Sequence, residues 1–307
     1  MGVWIDTDMG FDDLAAIMVA AHGGFAIDGI SLVLGNAPLD QVRRNAAGAA
    51  AAFVWPFPIH AGRAKPVLGK LETAVSILSD AGMPTAGEAL PAAPDTFVED
   101  AFEALCTWLE RSEGERRILA LGPLTNIAAV ALARPDLAAK ITDLTWMGGG
   151  LTTGNHTASA EFNAFADPEA VAIVLAHGIP FRMVDLDLCR KVLCAPEDIE
   201  PVRAAGGRNA TLLADLLAGF VSIATSRGRK AMSLYDAVAA VAFVQPDLVT
   251  WQDARIDMEL AGSHTRGRTV VETRAAKAEF NAQFAADIDA AKAKQSILDA
   301  LKAEASW

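Results

Sequence analysis

Four carboxylates fall within eight residues near the start of the chain. They are Asp6, Asp8, Asp12 and Asp13 in Val3-Trp4-Ile5-Asp6-Thr7-Asp8-Met9-Gly10-Phe11-Asp12-Asp13. Like charges at close range resist joint ionisation, and a hard divalent cation with oxygen ligands removes that conflict. The bland alternative is a solvated acidic turn with Asp12 or Asp13 favourable at a helix N-terminus. The flanks speak against it. An apolar run ends at Asp6, and another, Leu14–Ala21, begins right after Asp13. The acids therefore sit where a buried strand ends and a buried helix starts, and the carboxyl ends of strands are where open α/β sheets bind ligands.

The elements that must position these acids alternate along the chain. Strand patterns occur at 27–34, 58–62, 117–121, 144–147 and 181–184. Helical patterns occupy 39–54, 96–111 and 126–133, the last with Thr125 as its N-cap. A further helix opens with Asp167 as cap and Pro168 at its first position. Residues 196–228 read as helical with a break at Gly206-Gly207, and 235–243 as an apolar helix. The tail carries strand-like runs at 254–260, 268–272 and 279–285 and a helix over 287–304. Alternation of this kind predicts an α/β fold, an open, mostly parallel central sheet with helices on both faces and a Rossmann-like core, in one domain over residues 1–307. Residues 63–95, rich in Gly, Pro and Ala, show little periodicity outside 73–79 and are expected to form a mobile loop over a site.

Composition narrows the partners. The net charge of −12, with no block of Lys or Arg, excludes a nucleic-acid backbone as the natural partner. No apolar stretch approaches the ~18–20 residues of a membrane span, and no secretory leader pattern is present, so a cytoplasmic protein is expected. The three cysteines, Cys106, Cys189 and Cys194, have no metal-like spacing and are expected as reduced thiols.

Polar residues recur where the other strands stop: Asn36, Thr125 with Asn126, Met147 with its glycines, and Asn155, Glu161 and Asn163, while Asp236 starts an apolar helix. A turn asparagine is the ordinary reading for each asparagine alone, but a doubly wound sheet brings such ends to one rim. Asp6-Thr7-Asp8-Met9-Gly10-Phe11-Asp12-Asp13 resembles the DxDxGxDD signature of the inosine-uridine-preferring nucleoside hydrolases. The resemblance continues through Leu34-Gly35-Asn36, Leu121–Asn126, Met147–Gly150, Gly154-Asn155, Ala160–Asn163 and Asp167-Pro168-Glu169, and so spans nearly the whole chain in order.

That resemblance implies a nucleoside-hydrolase-like fold and a calcium-dependent ribonucleoside hydrolase that releases ribose and free base. It implies Asp8 as general base and calcium ligand, with Asp13, the Thr125 backbone carbonyl and Asp236 as the other ligands to Ca2+. Asp12 and Asn163 would hold the ribose 2′- and 3′-hydroxyls, Glu161 and Asn155 the 5′-hydroxyl, and Asn36 and Met147 would touch the sugar, with Asp6 in support. A homo-dimer or homo-tetramer is also implied. The chemistry is coherent. N-glycosidic cleavage passes through an oxocarbenium-like sugar, a carboxylate beside the attacking water accepts its proton, and an oxygen-only ligand set suits calcium.

The chain departs from the family at the leaving base. Many relatives place a histidine, and purine-preferring ones a tryptophan, before the last calcium-binding aspartate; here Tyr235 stands there. A second histidine, often found after the third strand, is replaced by Ile77-Leu78-Ser79-Asp80-Ala81-Gly82. His156 reads as an exposed loop histidine beside Asn155, and Arg227 and Arg229 as surface residues within reach of the base. Tyr235 is expected to stack on the base or donate its phenol proton, the alternative being a packed phenol tied to a neighbour. Purine nucleosides are slightly favoured on this basis. The rival readings are a ribonucleoside- or ribose-binding homologue that retains the metal site with little turnover, and a phosphatase of the haloacid dehalogenase type, which leaves Asn155, Glu161 and Asn163 unexplained.

Overall fold

The computed structural model describes residues 2–97 and 100–307. Eleven strands are present among them: β1 (Gly2–Thr7), β2 (Ala26–Leu32), β3 (Ile59–Ala61), β4 (Arg117–Ala120), β5 (Asp143–Met147), β6 (Phe181–Val184), β7 (Leu193–Cys194), β8 (Met232–Ser233), β9 (Val249–Met258), β10 (Thr269–Glu272) and β11 (Ala282–Ile288). Nine of them form one sheet in the order β10-β9-β11-β6-β5-β4-β1-β2-β3. From β3 through β6 all neighbours are parallel, as is β11 to β6; β9 and β10 add antiparallel pairs at one edge. The chain winds from β1 toward β3, then restarts at β4 on the other side of β1. The topological switch point thus lies between β1 and β4, where doubly wound sheets open a crevice at the strands' carboxyl ends. The expected mostly parallel α/β architecture is what the chain adopts.

Both faces of the sheet are covered, and the strand sequences show why. In β1, Val3 and Ile5 join one buried apolar cluster while Trp4 joins the other; in β4, Leu119 joins the first while Ile118 and Ala120 join the second. A period of two on strands buried on both faces produces this division. The first cluster is closed by helices Phe11–His22, Ala210–Thr225, Tyr235–Val244 and Ala290–Ala305, the second by Ala101–Arg111, Thr125–Ala133 and Pro168–Ala176. All three cysteines are buried and unpaired. Among the described residues no helix is long and apolar enough to cross a membrane.

Local expectations fare unevenly. Asp167 caps its helix as expected, its carboxylate accepting from the Ala170 N–H, with Pro168 following. Thr125 does not act as a cap: it is the first helical residue, Leu124 holds the cap position, and the Thr125 hydroxyl donates instead to Asp167 Oδ2 at 2.7 Å. That buried carboxylate, which also accepts the Val67 N–H, is a charged acceptor for the hydroxyl proton. The helix expected over 96–111 runs from Ala101 to Arg111 under an Asp100 cap; part of the expected first turn falls outside the described residues. Strand β9 begins at Val249, five residues before the expected run, because Val249 and Trp251 pair with β11. The segment 63–95 is irregular apart from helix Val75–Leu78.

Candidate active site

The acids open at the end of β1. Met9 has φ +52°, a left-handed conformation that costs an L side chain about 1 kcal/mol. It reverses the backbone between Asp8 and helix Phe11–His22, and Asn45 Nδ2 holds its carbonyl at 3.2 Å. Gly10 is not the strained residue. It is small because a Cβ there would lie 2.5 Å from Asn36 Nδ2. Gly35 likewise lets a neighbouring backbone close in: a Cβ would lie 1.9 Å from an Asp8 carboxylate oxygen. The Asn36 N–H consequently reaches Asp8 Oδ2 at 2.7 Å, and Asn36 Nδ2 reaches Asp8 Oδ1 at 2.9 Å.

Asp8, Asp12, Asp13 and Asp236 are all buried. Oxygens of Asp12, Asp13 and Asp236 lie within 4.8 Å of one another, and the Asp13 carboxyl is within hydrogen-bonding reach of both Asp8 and Asp236. Burial first, then the negative neighbours, drives the Asp8 carboxyl well above its usual range. Burial, with Asp13 beside it, pushes Asp12 up to about 8; burial, then Asp12 and Asp13, raises Asp236 strongly. Asp13 is also raised by burial, although the Thr7 hydroxyl, the Gly10 N–H (2.7 Å) and other donors oppose the shift. Four carboxylates that cannot share full ionisation, with only oxygen donors between them, form a donor set that fits a hard divalent cation.

Asp6 stands behind this cluster. Its Oδ1 accepts from Ser31 and from Asn126 Nδ2 (2.7 Å), its Oδ2 has no partner, and burial raises it to about 7. Asn126 also takes the Arg63 N–H and donates to the Leu32 carbonyl, so one side chain laces the ends of β1 and β2 to the loop after β3.

A cavity of about 290 Å³ opens over the acids, lined by Asp8, Asp12, Asn36, Met147, Asn155, Glu161, Asn163, Tyr235 and Asp236 among others. It therefore gathers residues from the ends of β1, β2 and β5 and from three helix starts. Asn163 spends its amide nitrogen on the Leu121 and Met147 carbonyls at 2.8 and 3.0 Å, which leaves Oδ1 to accept from a ligand. Glu161 caps helix Phe162–Ala166, accepting from the Gly149, Asn163 and Ala164 N–H groups at 2.8–3.0 Å. Burial nonetheless lifts its carboxyl to about 7. Asn155 Oδ1 accepts the Phe162 N–H, leaving its amide nitrogen as a donor. Of the residues expected in the site, Asp13 and Thr125 do not line the cavity: Asp13 lies beneath it, and Thr125 is buried at the start of its helix.

The remaining wall was less legible. Tyr235 lines the cavity half-buried; burial, then the charges of Cys189 and Asp12, pushes its phenol up to about 12, against a pull from Arg190 and Arg229. Among the described residues no hydrogen bond ties its hydroxyl to a neighbour. His156 is exposed as expected, yet it also lines the cavity, its ring 4.6 Å from that of Phe165. Ser76, Ile77 and Leu78 of the short helix complete one side, and Phe220, Ile223, Arg190, Arg227 and Arg229 another.

The family model described as inosine-uridine preferring nucleoside hydrolase matches residues 3–295. The chain belongs to this family. It is an enzyme of the nucleoside hydrolase class, acting on N-glycosidic bonds. It is 32% identical over 272 residues to the pyrimidine-specific ribonucleoside hydrolase RihB of Escherichia coli O157:H7, covering 87% of this chain and 86% of the relative. Among solved structures it resembles the purine-preferring ribonucleoside hydrolase from Gardnerella vaginalis, with a TM-score of 0.91 and 25% identity over 100% of this chain and 99% of that one. The plant nucleoside hydrolase PpNRh1 has the same fold, with a TM-score of 0.90 and 23% identity over 98% and 99% of the two chains.

Proposed function

We propose that this nucleoside hydrolase cleaves ribonucleosides to ribose and free base with calcium bound at the acid cluster, acting as one catalytic unit over residues 1–307. The observation that carries the reading is the cavity floor. Buried carboxylates stand on one side, and on the other Asn163, Glu161 and Asn155 keep, respectively, an acceptor, a carboxylate and an amide donor available for hydroxyls. Asp8, Asp13, Asp236 and the Thr125 carbonyl would hold the ion. When bound, calcium would order the ribose hydroxyls and make an adjacent water more acidic.

Asp8 takes the proton of the water that attacks C1′, and Asn36 fixes its carboxylate through two hydrogen bonds. Asp12 and Asn163 hold the 2′- and 3′-hydroxyls, Glu161 and Asn155 the 5′-hydroxyl, and Asn36 and Met147 border the sugar. Sites built to hydrogen-bond a hydroxyl reject analogues that lack it, because their buried polar groups are left unpaired. Removing the 2′-hydroxyl of the substrate is accordingly expected to lower kcat/KM by about 100-fold or more. Comparing inosine with 2′-deoxyinosine and 5′-deoxyinosine measures this. Equal turnover of all three, or no sugar release from any ribonucleoside, contradicts the reading.

At the base, Tyr235 acts through its ring. A phenol pushed up to about 12 is a poor proton donor, whereas ring stacking needs no ionisation. Tyr235→Phe should retain kcat/KM within about threefold, and Tyr235→Ala should lose about tenfold, the range of an aromatic contact. A Phe variant as damaged as the Ala variant would assign the hydroxyl a role instead. A slight preference for purines follows from Tyr235 and the missing histidines; the relatives include both pyrimidine-specific and purine-preferring enzymes. We also place the enzyme in the cytoplasm, in keeping with its unpaired cysteines, as a homo-dimer or homo-tetramer, as the family resemblance implies.

A further inference from the structure

Beside Tyr235 the cavity continues into a second recess of about 240 Å³, which shares Arg190, Arg229, Met232 and Tyr235 with it and adds Lys230. No acidic residue lines this recess. That is unusual for a chain of net charge −12, and it contrasts with the carboxylate floor next door. The antiparallel pairing of β7 with β8, Leu193 opposite Ser233, brings the two contributing segments together.

The cations are not equivalent. Arg190 is committed to the Thr153 and Gly154 carbonyls and the Thr153 hydroxyl at 3.0–3.2 Å, and its Nη1 also lies 3.5 Å from Asp187 Oδ1. The side chains of Arg229 and Lys230 are exposed and have no hydrogen-bond or carboxylate partner among the described residues. Arg43, Arg117, Arg203 and Arg266, by contrast, each reach a carboxylate within 3.1 Å. Arg227, equally unpartnered, stands on the main cavity wall, where it continues the helix face of Phe220, Ile223 and Ala224. A cation is favourable at a helix C-terminus, which accounts for Arg227 but not for Arg229 and Lys230 beyond the turn.

We propose that this recess selects nucleosides whose base carries a negative charge, a ring carboxylate being the plainest case. The inference rests on the ribonucleoside reading above, which sets the sugar on the acids and the base against Tyr235, on the wall that Phe220 and Ile223 continue. The base is then the part of the substrate that meets Arg229 and Lys230. A phosphate at the 5′ carbon would instead face Glu161, whose carboxylate repels it. A guanidinium fork matches a carboxylate in two parallel hydrogen bonds, with the ammonium adding a point charge.

The test measures kcat/KM on calcium-supplemented enzyme for uridine, for orotidine and 5-carboxyuridine, which place the carboxylate at two ring positions, and for uridine 5′-monophosphate. The parent is expected to favour at least one carboxylated base over uridine by about tenfold or more, the range of a charge-assisted hydrogen bond. In Arg229→Gln/Lys230→Gln that ratio should collapse by a similar factor, whereas Arg229→Lys/Lys230→Arg should keep most of it, and rising salt should erode it in the parent. The same ratio in the parent and the Gln variant overturns the proposal, as does a variant-sensitive preference for the 5′-monophosphate, which would put the anion at the other end. Hydrolysis of uridine without the ratio sinks this inference and leaves the ribonucleoside reading standing. If no nucleoside is hydrolysed, that reading fails, and calorimetric binding of orotate to parent and Gln variant decides the recess by itself: loss of binding in the variant supports it, and equal or absent binding overturns it.

Discussion

Asp8→Asn is expected to lower kcat by about 1,000-fold at saturating calcium while the protein still folds, since a positioned general base contributes roughly 10²–10⁴. The substitution keeps the shape of the side chain but removes the proton acceptor. It also turns one of the two acceptors now facing Asn36 into a donor, so the Asn36 N–H at 2.7 Å or the amide at 2.9 Å loses its partner. A circular-dichroism melt close to the parent's would confirm that turnover, not folding, is affected. Retention of near-parent kcat would remove Asp8 as the base.

The second large effect concerns the cation. Asp13 lies between Asp8 and Asp236 and is anchored by Thr7, by the Gly10 N–H and, at 3.3 Å, by Asn36 Nδ2. A group held in place by three donors and flanked by two further carboxylates should be where an ion gains most. Binding to the folded state alone stabilises it by about 2.7 kcal/mol at a hundredfold excess over Kd. For a chain of this size that corresponds to a rise in Tm of about 4 °C when calcium is added to chelated protein. Asp13→Ala should abolish the rise and reduce sugar release to the level of the chelated parent. An Asp13→Ala protein that still responds to calcium by the full shift would move the ion elsewhere.

Much of the acid cluster and of the cavity's polar lining could be read in the sequence, because it lies in short segments with fixed spacing. Asp6 to Asp13 occupy one strand-to-helix turn, and Glu161 with Asn163 one helix start, so a linear pattern captures their geometry. The sheet was legible for a similar reason: strands buried on both faces, such as Val3–Ile5 and Ile118–Ala120, read as continuous apolar runs between helical patterns. What could not be read depends on contacts between distant segments. Thr125 looked like a cap because no local signal shows that Asp167, far along the chain, takes its hydroxyl. The left-handed residue in the turn is Met9, although the adjacent glycine is the one that sequence rules favour. The cationic recess is assembled from Arg190 and the 229–230 segment only because β7 pairs with β8, two strands too short to leave a pattern.

The division of labour among the acids is tested most directly by one measurement: reducing-sugar release from inosine and uridine by fully chelated protein, then by the same sample after calcium is restored. Release should be near background without the ion and return on its addition, with ribose and free base in equal amounts. Release that continues unchanged under full chelation would contradict the assignment of Asp8, Asp13 and Asp236 to a cation that the reaction requires.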